Sequence, residues 1–147
     1  MSRLAAAGIA AAVAVATVGA GYAADAAGGR RPPALGPGLV TVEIGIEHSR
    51  FSRDELRVVE GTTVRFVVRN DDPIGHELVV GGPDVHRRHA TGREAQHPPL
   101  PGEVSVPPGE VGVTVSAFDV PGTVTFACHL PGHVAYGMVG EVRVEAA

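Results

Sequence analysis

The sequence predicts an all-β protein, a β-sandwich that follows an N-terminal leader. Short segments alternate apolar with polar residues, which is the pattern of strands buried on one face. Turns containing Gly and Pro separate these segments, and no stretch after residue 30 shows helical periodicity. Several short strands joined by such turns favour two packed sheets.

The first strand is predicted over residues 40–46, where Val42 and Ile44 alternate with Glu43 and Gly45. A turn at residues 60–61 separates the predicted strands over residues 56–59 and 64–68. Two glycines and a proline at residues 81–83 end the predicted strand over residues 78–80. Further strands are predicted over residues 56–59, 64–68, 78–80, 111–115, 124–128 and 142–144. These segments supply enough alternating residues for both sheets of a sandwich.

Residues 1–26 are predicted to be a signal peptide. Arg3 precedes a run without charge from Leu4 to Ala24, and small residues with the spacing of a cleavage site follow. The alternative is an uncleaved membrane anchor, because about 20 apolar residues can span a bilayer. Residues 27–38, rich in Gly, Pro and Arg, are interpreted as a flexible linker, and residues 39–147 as the folded domain.

Composition excludes several functions. The net charge is −4, and the 12 basic residues, all arginine, are scattered, so no nucleic-acid surface is predicted. No membrane contact is expected beyond a possible N-terminal anchor. The single cysteine, Cys128, cannot form an internal disulfide. In an exported protein we expect such a thiol to be buried or bound to a metal.

Chemistry is concentrated in residues 128–138, where Cys128, His133 and Met138 have the spacing Cys-x4-His-x4-Met. A thiolate, an imidazole and a thioether on a loop with Pro and Gly suit a redox-active copper ion. The blue-copper geometry is a trigonal His2Cys set with a long axial Met. The alternative is a chance grouping, because a free cysteine is commonly a small buried residue. The ordered spacing favours the metal, and a second histidine must then come from elsewhere.

His76 is the preferred second histidine. It follows a turn with Pro and Gly and enters a predicted strand in which Leu78 and Val80 share its side-chain parity. That face is expected to point into the core, where a ligand must point. His48 belongs to a polar turn and is a weaker candidate, whereas the histidines of the segment after residue 83 remain competitors.

Residues 84–108 are interpreted as a long loop inserted into the domain. The segment contains His86, His89 and His97, several prolines and few apolar residues. Loops of this length are usually functional or mobile. The three histidines with Glu94 could form a second, exposed copper site, but a solvated polar loop is the favoured interpretation. Because its charges are hard to bury, the loop is expected to lie apart from the blue copper site.

The sequence over residues 39–145 resembles the cupredoxins of the plastocyanin and azurin superfamily. The loop spacing is similar to that of pseudoazurin, auracyanin and rusticyanin. The resemblance implies a Greek-key β-sandwich with one type 1 copper. It also implies the copper ligands His76, Cys128, His133 and Met138. The features that carry it are Phe51, residues 61–64, Asn70 with His76, and residues 128–140.

One departure concerns the residue after the first histidine. Many cupredoxins have Asn there, where it steadies the loop that carries the thiolate, and this chain has Glu77. Hydrogen bonds around the ligands influence the metal and its potential, so the role of Glu77 decides how closely the site follows the family.

The resemblance implies a one-electron carrier between redox partners such as a cytochrome, an oxidase or a reductase, outside the cytoplasm. Copper delivery, storage or resistance is the alternative function. No enzyme activity is expected. Multicopper oxidases carry the motif His-Cys-His, but here Ala127 precedes Cys128. His129 is therefore expected to face outward and not to bind a metal.

Overall fold

The computed structural model describes residues 32–92 and 99–147. Within these residues the chain forms strands and one helix, so the all-β prediction is confirmed. The elements are β1 (Gly38–Glu47), β2 (Arg50–Phe51), β3 (Glu55–Val59), β4 (Thr62–Asn70), β5 (His76–Gly81), α1 (Pro83–Thr91), β6 (Glu103–Val106), β7 (Val111–Phe118), β8 (Gly122–Ala127) and β9 (Val139–Glu145).

The strands form two sheets, with the orders β2-β1-β4-β7 and β3-β9-β8-β5-β6. Strand β1 runs parallel to β4, and β3 runs parallel to β9, whereas the other neighbours are antiparallel. The predicted β-sandwich is therefore confirmed. The sheet that contains β5, β8 and β9 is the one that carries the predicted copper ligands.

The core lies between the sheets and follows the alternation in the sequence. On β4, Val64, Phe66 and Val68 are fully buried, whereas Arg65 and Arg69 on the opposite face are exposed. The Phe66 ring meets the ring of Phe118 edge to face at 6.5 Å, a favoured aromatic geometry. Side chains with a period of two thus point alternately into the core and into water.

The interpretation of residues 84–108 as one loop is wrong at both ends. Residues 84–91 belong to helix α1, whose first residue is Pro83. Proline has no backbone N–H, and the first residue of a helix needs none. Near the end of the segment, β6 pairs with β5 in antiparallel register. Gly81 allows the helix to pack on β5, because a Cβ there would lie 3.0 Å from the Cβ of Val85. Helix α1 therefore covers the outer face of β5, and β6 extends the sheet beside it.

The interpretation of residues 27–38 as a flexible linker is wrong from Pro32 onward. Leu35 donates its N–H to the Arg57 carbonyl at 2.9 Å and accepts from the Val59 N–H at 2.8 Å. These backbone hydrogen bonds attach the segment to β3. Such pairing needs no alternation of apolar and polar residues, so the sequence pattern did not reveal it. The predicted leader over residues 1–26 lies outside the described residues. Within the described residues, no helix combines the length and hydropathy needed to span a membrane.

Candidate metal centre

The predicted ligands meet at one end of the second sheet. Strands β5 and β8 are antiparallel neighbours, with Val79 opposite Ala127. The beginning of β5, at His76, and the end of β8, before Cys128, therefore lie at the same end. The loop from Cys128 to Met138 then joins β8 to β9, whose first residue, Val139, pairs with Ala127.

Hydrogen bonds close this loop on itself. The Cys128 N–H donates to the Met138 carbonyl at 3.1 Å, and the Met138 N–H donates to the His133 carbonyl at 3.0 Å. Gly132 and Gly137 have φ values of 85° and 95°, a conformation that residues with a Cβ rarely adopt. The turns at Gly132 and Gly137 thus fold the loop so that Cys128, His133 and Met138 come together.

The donor atoms of three predicted ligands lie close to one another. His133 Nδ1 is 3.2 Å from Cys128 Sγ. One donor atom from each of His76, Cys128 and His133 falls within 4.8 Å of the others. His76, Cys128 and Met138 are 2%, 0% and 0% exposed, whereas His133 is only half-buried. Protein therefore encloses His76, Cys128 and Met138, and the candidate site approaches the surface at His133.

His76 shows that the pocket fits a metal. Its Nε2 lies 2.9 Å from Asp72 Oδ2, so the carboxylate fixes the ring. Its Nδ1 is buried and has no hydrogen-bond partner among the described residues. A buried nitrogen left unpaired is unfavourable, and a metal bond would satisfy it. The remaining donors, a thiolate and a second imidazole, are those that copper prefers.

Asp72 is a supporting residue that the sequence did not reveal. Its carboxylate accepts the N–H groups of His48 and Ser49 at 2.6 Å and 2.7 Å, in addition to its contact with His76. Burial alone would raise the pKa of Asp72, but these hydrogen bonds hold it below its ordinary value. The ionised carboxylate therefore links the β1–β2 turn to the first histidine. Only its position four residues before His76 could have suggested this role.

Replacing Asp72 by asparagine should lower copper affinity about 10- to 100-fold, the usual effect of removing a partner of a metal-binding histidine. The amide keeps the shape of the side chain but removes the charge that holds and polarises the His76 ring. Affinity is measured by competition with a chelator. Asp71→Asn is the matched control, because Asp71 is the exposed neighbouring carboxylate. Equal affinities in the two variants would contradict the role of Asp72.

The thiol of Cys128 is protonated in the metal-free protein at neutral pH. Burial, with a smaller effect of the Glu77 charge, raises the pKa of Cys128 to about 11. Burial and the neighbouring His76 lower the pKa of His133, which is then neutral at pH 7. A metal that binds the thiolate must therefore displace the proton of Cys128, while His133 has none to lose.

We expect copper binding at pH 7 to release about one proton per ion, because the ligand is the thiolate and not the thiol. Binding should accordingly strengthen as the pH rises from 7 toward the pKa of the thiol. The released proton is measured with an indicator dye in weakly buffered solution. Cys128→Ser should release none at this position. Copper binding by the unchanged protein without proton release would contradict a bond to Cys128.

Glu77 performs the linking role that the family resemblance assigns to asparagine. Its Oε1 accepts the backbone N–H of His129 at 2.7 Å, directly after Cys128. The side chain is 3% exposed, because helix α1 covers this face of β5. The departure from the family pattern therefore keeps a hydrogen bond between the two ligand-bearing strands, with a carboxylate as the acceptor.

The other histidines among the described residues lie apart from this centre. His48 is on the β1–β2 turn with its side chain 87% exposed, and His97 lies outside the described residues. His129 faces the outer side of the second sheet, as expected, and does not belong to the group formed by the predicted ligands. The residue is half-buried and its Nε2 lies 2.8 Å from Nδ1 of His86, because α1 packs beside the end of β8.

Residues 39–145 match the family described as copper binding proteins, plastocyanin/azurin family. The chain belongs to this family. The copper cofactor and the cupredoxin fold predicted from the loop are thereby confirmed, and His76, Cys128 and His133 form a site that can hold the ion.

Two relatives carry the name copper-resistant cuproprotein CopI. The protein from Rubrivivax gelatinosus is 41% identical over 99 residues, covering 65% of this chain and 59% of that protein. The chain therefore spans less than two thirds of this relative. The protein from Pseudomonas aeruginosa is 25% identical over 138 residues, covering 71% of this chain and 76% of that protein.

Among solved structures, auracyanin A from Chloroflexus aurantiacus, described as a "blue" copper protein, is 26% identical with a TM-score of 0.58. The match covers 73% of this cupredoxin and 99% of the auracyanin chain. The whole fold of a blue copper protein is thus present in the described domain.

Proposed function

We propose that this cupredoxin is an exported copper-binding protein that contributes to copper resistance. Its type 1 centre would use His76, Cys128, His133 and Met138 as ligands. The observation that carries the proposal is the group of His76, Cys128 and half-buried His133 in a chain related to two copper-resistant cuproproteins. Thiolate, thioether and imidazole groups together bind copper in both oxidation states.

The residues of the site support retention of an ion. Cys128 and Met138 are fully buried, so water and other thiols reach them poorly. Asp72 orients His76, and Glu77 holds the backbone after Cys128. A copper ion held by this set supplies one-electron chemistry. We assign the protein no enzyme activity, because catalysis at a metal needs a coordination position open to substrate, and four protein ligands would leave none open.

A one-electron carrier is the second candidate. It is favoured by the surroundings of His133, which is half-buried on a loop where Val134 and Tyr136 are 41% and 72% exposed. An apolar surface beside a ligand suits a small, transient contact with a redox protein such as a cytochrome, an oxidase or a reductase. The leader predicted over residues 1–26 would place either function outside the cytoplasm.

Deletion of the gene in its native host separates the two functions. For copper resistance, the deletion strain should stop growing at copper concentrations that the parent tolerates, and the unchanged gene should restore growth. The Cys128→Ser gene should not restore it, since the serine hydroxyl is a poor copper ligand. A growth or respiration defect without added copper, with unchanged copper tolerance, would instead favour the carrier. Full resistance conferred by the serine variant would contradict the proposal.

A further inference from the structure

A second group of metal-binding side chains lies outside the type 1 centre. It contains His86 and His89 from α1, His129 after β8, Glu77 from β5 and Glu103 from β6. The two closest nitrogens are His86 Nδ1 and His129 Nε2, which are 2.8 Å apart. Strand β5, helix α1, strand β6 and the loop after β8 thus bring imidazoles and carboxylates to one place.

The ring of His86 is oriented as in a metal-binding histidine. Its Nε2 faces the carbonyl oxygens of Gly81 and Thr125 at 3.0 Å and 3.2 Å. Carbonyls only accept hydrogen bonds, so this nitrogen carries the proton and Nδ1 keeps its lone pair. Histidines that bind metals usually donate their other ring N–H to a carbonyl or carboxylate in this way.

The separation of the two nitrogens suits a shared ion. Imidazole nitrogens lie about 2.0 Å from a bound ion, so neighbouring ligands at a right angle are about 2.8 Å apart. The distance between His86 Nδ1 and His129 Nε2 has this value. In the metal-free protein His129 Nε2 donates the hydrogen bond that His86 Nδ1 accepts. An ion would replace this bond once the proton on His129 Nε2 has moved to Nδ1 of the same ring, which leaves His129 neutral and frees Nε2 for the ion.

Buried contacts between His89 and two carboxylates hold His86 and His129 in position. His89 lies between Glu103 Oε2, at 2.8 Å from its Nε2, and Glu77 Oε2, at 3.3 Å from its Nδ1. Glu77 also accepts the His129 N–H, so one carboxylate connects α1 with the backbone of the second histidine. Arg88 pairs with Glu103 on the outer side. The network therefore fixes the helix that carries His86 relative to the loop that carries His129.

The pair is also accessible. His86 and His129 border a groove of about 520 Å³ on the outer face of the second sheet. Both residues are only partly buried, so an ion can reach them from solvent, and water can complete its coordination. Imidazole with water suits a tetragonal Cu²⁺ ion, which also binds nitrogen ligands more strongly than Zn²⁺.

We propose that His86 and His129 form a second metal site, which takes Cu²⁺ in preference to Zn²⁺. Two imidazoles and water would bind the ion, and His89, Glu77 and Glu103 would hold the site in shape. The inference goes beyond the proposed function and does not depend on it. Since His129 follows Cys128 directly, an ion here would lie beside the type 1 centre without sharing a ligand with it.

The test uses the full chain with its type 1 centre already filled by one equivalent of copper. Further Cu²⁺ is added and followed by calorimetry and electron paramagnetic resonance. We expect one more ion to bind, with the spectrum of a non-blue copper bound by nitrogen. His86→Ala should weaken this binding at least about tenfold while the blue absorption stays unchanged. His48→Ala is the control, because it removes an exposed histidine from a distant turn.

Two further variants make the result decisive. Cys128→Ser should lose the blue centre and keep the second site, so the two assignments fail or hold separately. His97→Ala, which changes a residue outside the described part, should leave the second ion in place. The proposal is overturned if no second ion binds, if His86→Ala binds it as well as the unchanged protein does, or if Zn²⁺ binds there more tightly than Cu²⁺.

Discussion

Replacing Cys128 by serine should abolish the intense visible absorption of the copper-loaded protein. The band of a blue copper centre arises from charge transfer between a thiolate and the ion, and a hydroxyl cannot supply the soft donor. Cys128 is the only cysteine, is fully buried and has its Sγ 3.2 Å from His133 Nδ1. No other thiol in the chain can replace it. Absorption spectra of both proteins, loaded with one equivalent of copper, measure the effect.

Ala127→Ser is the matched control for this variant. It introduces the same hydroxyl one residue earlier, where the side chain borders the outer groove and not the ligand pocket. The control should remain blue, and chemical unfolding of both metal-free variants shows whether each is folded. A blue Cys128→Ser protein would contradict the type 1 centre itself, because no second sulfur of this kind exists.

The ligand loop could be predicted from sequence because its chemistry is local. Cys128, His133 and Met138 lie within one connection between neighbouring strands, so their spacing alone brings them close. Alternating burial on β4 was equally visible, since a strand covered on one face repeats every two residues. These features depend on short stretches of chain and not on how distant stretches meet.

Helix α1 and strand β6 could not be predicted in this way. The helix has no fully buried residue, so it lacks the apolar stripe that identifies helices in sequences. Strand β6 has four residues and lies between prolines, which suggested a loop. Both elements depend on their packing against β5. The contact of His86 with His129 follows from that packing and was hidden for the same reason.

Support for the predicted ligands was only partly visible. The parity of His76 with Leu78 and Val80 correctly indicated an inward side chain, because all three are nearly or fully buried. Asp72 gave no comparable signal, since a carboxylate near a histidine is common in sequences, and Glu77 was visible only as a departure from the family's asparagine. Their roles follow from hydrogen bonds to the β1–β2 turn and to His129, which only the folded chain brings within reach.

His76→Ala should weaken copper binding by more than the about 10- to 100-fold expected when a partner of a ligand is lost. It should also change the spectrum of the copper that remains bound. The variant removes the imidazole whose Nδ1 is buried without a partner among the described residues. It also leaves the Asp72 carboxylate without the ring that it holds at 2.9 Å. Loss of one strong equatorial donor should leave the thiolate, His133 and Met138 unable to enforce the same geometry. Chelator competition and absorption spectra measure the two effects.

His48→Ala and His86→Ala are the controls that identify which histidine completes the centre. His48 is on the exposed β1–β2 turn, and His86 contacts His129 on the outer face of the sheet. Neither ring nitrogen belongs to the group formed by His76, Cys128 and His133. Both variants should therefore retain the blue band and the affinity for the first copper ion. If His76→Ala kept them as well, the second imidazole would have to come from another histidine, with His86, His89 and His97 as the candidates.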